Sequence, residues 1–263
     1  MQARHVLTAL AMACMATQGH ACALTMALEQ WPPYIHTRPE AKAGAGKSHR
    51  AAAASGLDLE LAQAIIKEAG CTLRLLPELP TARRQRNFEL GGIDLLLAAS
   101  ITPERRRYAR FSIPYRHESV GVFARTSALA QYRDVTSIDA LVKLGLPLLA
   151  PKIGWYGAAY ARVQPAMTAA GQLSTFINFQ QGLRMLDAGR ADLIMGDGAA
   201  LRYEAREQGI AISPLPFSVL RAPVHLMLNK ISTSQAELNR LNAAIARLER
   251  NGALAEIRSR YGN

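Results

Sequence analysis

Apolar positions in this chain recur with two alternating periods. "LDLELAQAIIKEAG" (57–70) places Leu61, Ala62, Ile65, Ile66 and Ala69 on one helical face and stops at Gly70. "TLRLL" then alternates as a strand, and "RRQRNFELGG" predicts a short helix closed by glycines. "IDLLLAA" (93–99) is continuously apolar, the pattern of a strand buried on both faces. After residue 118 the same grammar returns. "VGVFAR", "LPLLAP", "FINF", "ADLIMGD" (191–197) and "VHLMLN" (224–229) predict strands, and "SIDALVKLG" and "QQGLRMLDAG" predict helices among them. "SQAELNRLNAAIARLERNG" lines up Leu238, Leu241, Ile245 and Leu248, and a last short helix runs up to Tyr261. Near the start, "LTMALE" (24–29) predicts a strand leading into the turn-prone "QWPPYIH", and the Ala/Gly/Lys-rich residues 38–55 predict a mobile loop or a frayed helix.

Strands alternating with helices predict an α/β protein built on mainly parallel sheets. Two stretches, "ELGGIDLLLAAS" and "LDAGRADLIMGD", share a Gly-x-x-Asp core ahead of an apolar strand, about 100 residues apart. That echo predicts two similar lobes instead of one long sheet. In open α/β sheets ligands meet the carboxyl ends of strands. Ser100 to Arg105 follow one such end and Asp197 the other, so both face the expected cleft.

Composition narrows the classes. The 31 basic and 20 acidic side chains give +11, scattered along a chain with only 6% aromatic residues. No basic run alternates with aromatics as single-strand binding requires, so nucleic acid is not an expected partner. "MQARH", the apolar "VLTALAMACMAT" and "ACA" at 21–23 have the order of a signal peptide, with cleavage expected after Ala23. Lipidation at Cys14 or Cys22 fits less well, since the usual preceding leucine is missing. Loss of residues 1–23 would leave Cys71 alone, a small buried hydrophobe without a disulfide partner. The six histidines show no metal-ligand spacing, and no Ser-His-Asp order or phosphate-binding glycine loop stands out.

The candidate chemistry is concentrated in a few positions. "SITPERRRYARFSIPY" (100–115) carries four arginines. A guanidinium is a planar fork that grips a carboxylate through two parallel hydrogen bonds, with hydroxyls such as those of Ser100 and Thr102 completing the shell. From these residues alone, a solvent-facing Arg105 at a helix start is the better reading, as it is for Arg106, Arg107 and Arg110. Asp197 could cap a helix, hold a ligand ammonium, or do both. Trp31 to Tyr34 could form an aromatic wall over a solute, or simply pack on the lobe.

Taken together, "WPPY", "GLDLELAQAI", "LGGIDLLLAASITPERRRYARFSIPY", "LDAGRADLIMGD" and "LERNGALAEIRSRYG" resemble the family 3 extracellular solute-binding proteins, the periplasmic amino-acid-binding type of ABC importer. The resemblance implies a two-lobed fold with residues 24–120 and 224–263 in one lobe and 121–223 in the other. It also implies Arg105, beside Ser100, as the grip on a ligand carboxylate, Asp197 as the acceptor of its amino group, and Trp31 as the stacking aromatic. "PKIGWYGAAY" departs from the family, which usually has a Gly-Thr turn there: Gly154 is kept, and Trp155 and Tyr156 take the polar positions. Ala98 stands where many members have a polar residue, and "PTARRQRNFELGG" brings Arg83 and Arg84 to another cleft loop. These changes suggest a ligand larger than a simple α-amino acid. The implied protein is a periplasmic monomer without cofactor or metal, whose partners are a small solute and an inner-membrane ABC permease. The alternatives are an exported dehydratase-like enzyme on the same scaffold, or an accessory or sensing binding protein not coupled to transport.

Overall fold

Residues 22–37 and 54–261 are described by the computed structural model. The first half of the chain begins with β1 (Ala23–Ala27) and the two-residue strands β2 (His36–Thr37) and β3 (Ala54–Ser55), which pair with each other. α1 (Leu57–Glu68), β4 (Thr72–Leu76), α2 (Thr81–Glu89), β5 (Leu95–Ala99) and the single turn α3 (Arg105–Tyr108) follow. α1 buries the face that the apolar spacing predicts, with Leu61, Ala62, Ile65 and Ile66 at or below 1% exposure. That face packs with Leu24, Met26, Leu226 and Leu228 and with Leu241 and Ile245 from near the end of the chain.

β6 (Ala109–Arg125) then runs for 17 residues from one half of the molecule into the other. After a 3₁₀ segment come α4 (Ile138–Lys143), β7 (Leu148–Pro151), α5 (Ala158–Ala169), β8 (Leu173–Phe176), α6 (Phe179–Asp187), β9 (Leu193–Asp197) and α7 (Gly198–Glu207). β10 (Ile212–Asn229) returns over 18 residues, and α8 (Gln235–Arg250) and α9 (Ala253–Arg260) close the chain on the first half. β6 alternates between two second-half clusters. Val120, Val122 and Ala124 face Leu141, Leu148 and Met167, while Phe123 faces Leu149, Leu183 and Ile194.

Among the described residues the largest sheet has the order β5-β10-β6-β9-β7-β8. The pairs β1/β4, β7/β8 and β7/β9 are parallel as expected. β6 and β10 add antiparallel pairs to each other, to β5 and to β9, so the sheets are mixed. The cause is that the two long strands cross between the halves as one ribbon. Residues 109–117 pair with 223–229 beside β5, and residues 118–125 pair with 212–222 beside β9.

Several elements differ from the sequence pattern, each for a visible reason. β10 starts at Ile212, ahead of the apolar "VHLMLN", and contains Pro214, Pro216 and Pro223. Over this stretch β6 is its paired neighbour on one side, and an edge strand tolerates prolines because its outer row needs no N–H. The strand predicted at "FINF" lies three residues earlier. Asn178 instead accepts a hydrogen bond from the Gln181 amide at 2.8 Å and starts α6 at Phe179. α5 was hidden by its alanines and by Pro165, since only Tyr160, Val163 and Met167 are buried on it.

The cysteine expectation is overturned. Cys22 and Cys71 form a disulfide that ties the start of β1 to the turn between α1 and β4. Cleavage after Ala23 would remove one half of that bond and the first residue of β1, so Cys22 and Ala23 belong to the folded body. Residues 1–21 and 38–53 lie outside the described residues, and with them most of the expected signal segment and of the 38–55 loop. At the end of that loop, Ala54 and Ser55 are paired in β3.

The bond spans 49 positions, a loop length for which cross-linking stabilises by about 2–4 kcal/mol. Cys71→Ser is expected to lower the urea midpoint accordingly, and non-reducing peptide mapping should recover Cys22 and Cys71 linked. Free thiols on the oxidised, folded protein would contradict this assignment.

Candidate ligand site between the halves

Asp197 ends β9 and caps α7. Its Oδ1 accepts hydrogen bonds from the amides of Ala199 (3.0 Å) and Ala200 (2.9 Å) and from the Tyr34 hydroxyl (2.9 Å). The carboxylate is 3% exposed, and among the described residues no hydrogen bond reaches its Oδ2. Burial pushes its pKa upward, while the Ala200 amide, the Arg116 charge and the Tyr34 hydroxyl pull it back. Tyr34 belongs to the first half, so this contact joins the two halves directly. Burial, together with the neighbouring Asp197 charge, raises the Tyr34 phenol far above its ordinary value and keeps it a donor.

Behind Tyr34 stands an ion pair that the sequence did not suggest. Arg116 of β6 grips Asp58 of α1 through Nε–Oδ1 at 2.5 Å and Nη2–Oδ2 at 2.8 Å. The side chains are 2% and 0% exposed. The guanidinium carbon lies 4.1 Å from the Tyr34 ring centre and 5.9 Å from that of Trp31. Its remaining nitrogen, Nη1, donates to the His117 carbonyl at 3.2 Å. Trp31 and Tyr34 themselves pack at 4.6 Å, in a turn closed by paired bonds between Trp31 and Ile35.

The other edge of the site follows β5. Ala98 adopts a left-handed backbone with φ 50°, and its amide donates to the Tyr115 hydroxyl at 2.9 Å. Ser100 is buried and donates through Oγ to Glu118 of β6 at 3.3 Å, while its carbonyl accepts Nη1 of Arg105 at 2.9 Å. Thr102 Oγ1 accepts the Arg105 amide at 3.2 Å, so this hydroxyl shapes the turn into α3. Arg106 and Arg107 are exposed. Arg110 is held by the carbonyls of Thr233 (3.0 Å) and Lys230 (3.4 Å).

From the second half, Gly154 has φ 138°, and a Cβ there would meet the Tyr156 ring. Without one, Tyr156 folds back and its hydroxyl donates to the Ile153 carbonyl at 3.0 Å. Burial raises the Tyr156 phenol, with the Glu118 and Asp197 charges adding to the rise and Arg105 opposing it. Trp155 is half-buried beside it.

Arg83 does not join the site. It is exposed on α2, and the next residue, Arg84, turns inward to pair with Glu29. Consecutive helical residues point about 100° apart, so only one of the two could face the rim. Arg116, Asp58 and Glu118 are charged groups of the candidate site that sequence reasoning missed. The available signal was an acid at the second position of α1 and the alternation of "YRHES", which puts Arg116 and Glu118 on one face of β6.

Burial, opposed by Arg116 and reinforced by Asp197, pushes the Glu118 carboxyl up to about 7. A cavity of about 570 Å³ is lined by Asp197 itself together with Ser119, Gly121, Gly198, Arg202 and Arg221 among others. Arg105, Ser100 and Trp31 are not among its lining residues.

A family model for bacterial extracellular solute-binding proteins, family 3, matches residues 47–263. The chain belongs to this family. Comparison with curated proteins finds no match. Among solved structures, an ancestral arginine-binding protein bound to arginine superimposes with a TM-score of 0.70 at 19% identity, covering 92% of this chain and 98% of the other. The amino acid ABC transporter substrate-binding protein AbpA from Streptococcus pneumoniae, bound to L-arginine, gives 0.69 at 20%, covering 91% and 94%. The ancestral amino acid-binding protein AncCDT-1, a precursor of cyclohexadienyl dehydratase, gives 0.67 at 18%, again covering 91% and 94%. At these identities the likeness of this family 3 protein to each of them is one of fold. Among the described residues, no cluster of His, Cys, Asp and Glu could hold a metal ion, and no helix is long and apolar enough to cross a membrane.

Two outcomes follow for this site. Asp58→Asn leaves the Arg116 charge buried without its partner, which costs about 3–5 kcal/mol, and Asp58→Asn with Arg116→Met should regain much of that loss in urea denaturation. Because folding raises the Glu118 carboxyl from 4.5 to about 7, its contribution to stability is fully present below pH 4.5 and is lost as pH rises to about 7. Glu118→Gln should therefore melt higher than the wild type at pH 8, and the gap should close by pH 4.5. A constant gap would show that Glu118 does not titrate in this window.

Proposed function

We propose that this protein binds a small amino-acid-like or carboxylate-bearing solute between its halves and delivers it to an inner-membrane ABC permease. The observation that carries the reading is Asp197. It is a buried carboxylate of the second half, with one oxygen saturated by Tyr34 and two amides and, among the described residues, no hydrogen bond on the other. An α-amino acid carries the complementary pair: its carboxylate suits the Arg105 fork and its ammonium suits Asp197. Ligand groups gripped from both sides favour closure about the β6/β10 ribbon. The moving bodies in this reading are residues 22–120 with 224–263, and residues 121–223. Trp31, Tyr34, Trp155 and Tyr156 supply the aromatic wall, and Gly154 the turn that presents it.

Delivery to a permease is supported by the likeness to AbpA, described as an ABC transporter substrate-binding protein. Export to the periplasm is supported by the family, by the disulfide, which suits an oxidising compartment, and by the order of charge and apolar run ahead of Cys22. Cleavage would then fall before Cys22. A dehydratase-like enzyme is the second reading, favoured by a Glu118 carboxyl near 7 that could move a proton at neutral pH.

Calorimetric titration with an amino-acid panel tests the proposal. Arg105→Ala is expected to weaken binding by more than tenfold, and Asp197→Asn comparably, because each leaves a desolvated ligand charge unpaired. Arg106→Ala and Arg107→Ala should change it by less than threefold. Equal losses across the arginines would replace the carboxylate grip with a diffuse basic surface, and turnover of a bound ligand would favour the enzyme.

A further inference from the structure

One corner of the first half sets two exposed apolar side chains among cations. α2 is followed by the turn Leu90–Gly91, and β10 by the turn that carries Lys230 and Ile231. The two turns meet, since a Cβ at Gly91 would lie 3.2 Å from Cγ2 of Ile231. Leu90 is 60% exposed and Ile231 74%, although both sit on fixed backbone. The buried Asn229 accepts the amides of Ile231 (2.6 Å) and Ser232 (3.2 Å), and Arg110 donates to the Thr233 carbonyl at 3.0 Å.

Cations surround this pair. Lys230 lays its ammonium on the carbonyls of Arg106 and Arg107, which holds α3 against the turn, and both arginine side chains are exposed. Arg86, in the last turn of α2, is 68% exposed and only loosely paired with Glu89 at 3.7 Å. The acids of the corner are Glu89, Glu104 at the start of α3, and Glu237, which is folded onto Ser234. Positive charge is therefore in excess around the two apolar tips.

Two such tips are too few for the core of an ordinary protein interface, which takes about 800 Å² from each partner. A charged bilayer surface suits them better: cations meet lipid phosphates while short apolar side chains enter the boundary with the acyl chains. We propose that this corner docks on an anionic phospholipid bilayer. Leu90 and Ile231 enter the interface, and Arg86, Arg106, Arg107 and Lys230 meet the headgroup phosphates. The corner and the ligand site lie at opposite ends of β5. Asp94, directly ahead of that strand, accepts the Asn229 amide at 2.9 Å beside the corner, whereas Ser100 follows its last residue and borders the site. A protein seated on the corner keeps its cleft away from the lipid, so the association goes beyond the solute-binding reading and holds whichever solute is taken.

Co-sedimentation of the purified, oxidised protein with vesicles tests this. Vesicles of phosphatidylcholine with about one-third phosphatidylglycerol should bind it at least tenfold more tightly than phosphatidylcholine alone, and added salt should weaken the binding. Arg106→Glu with Arg107→Glu should lose at least tenfold, and Leu90→Ser with Ile231→Ser at least fivefold. Arg133→Glu with Arg190→Glu makes the same charge change at exposed positions of the second half and should lose less than twofold. In Ile231→Trp, the new indole should shift to the blue on the anionic vesicles and be quenched by brominated lipid, against the background of Trp31 and Trp155 in the wild type. Equal losses from the two arginine pairs would reduce the effect to net charge and overturn the docking face. An unshifted, unquenched indole would do the same. Retention on immobilised polyglutamate with none on the vesicles would assign the corner to an acidic protein instead. Failure on vesicles sinks this proposal alone, because the solute-binding reading is decided separately by titration.

Discussion

The Asp58–Arg116 pair is the contact on which the geometry of the site rests. It stands where the first turn of α1 meets β6, with both side chains almost completely shielded from water. Desolvating two such charges costs about as much as their attraction returns, so a pair of this kind adds little net stability. What it supplies is orientation. The guanidinium is fixed by three hydrogen-bonded nitrogens, and its flat face lies over Tyr34. Tyr34 in turn aims its hydroxyl at Asp197. A chain of directed contacts therefore runs from the first-half core, through the aromatic turn, to the carboxylate at the start of α7.

The same pair shapes the electrostatics around it. A chain with 31 basic residues would be expected to supply its buried acids with partners freely. Yet Arg116, the cation that acts on both Asp197 and Glu118, is spent on Asp58, and Arg106, Arg107 and Arg110 of the 105–110 run point to solvent or to the Lys230–Thr233 turn. Local placement, not net charge, decides what the cleft can attract.

Mechanically, β6 and β10 are what make the two halves one molecule. Each half has its own apolar clusters, and Ala200 of α7 is buried in the first-half cluster, so the interface is apolar as well as polar. An antiparallel ribbon with register shifts around Pro214–Leu220 and Val224–Met227 can change twist at those points without breaking its pairing elsewhere. The disulfide ties β1 to the turn ahead of β4 and so cross-links the body that carries Asp58 and Tyr34.

The alternation of apolar runs determined the layered α/β class, the buried faces of α1 and α8, and the central strands β5 and β9. Each of these depends on a period that a short stretch of chain carries by itself. The same logic placed Asp197 at the end of β9 and Arg105 in the segment that follows β5, where ligands of open α/β sheets are expected. Tertiary structure alone decided the rest. β10 could hold prolines because half of it became an edge, and Arg84 rather than Arg83 met Glu29 because of the helical angle between them. Cys22 found Cys71 because β1 and β4 are parallel neighbours across 49 positions. Arg116 and Asp58, 58 positions apart, had no local signal, and whether Glu118 keeps a partner depends on how they meet. Pairing between distant polar side chains follows three-dimensional placement, which no periodicity in the chain encodes.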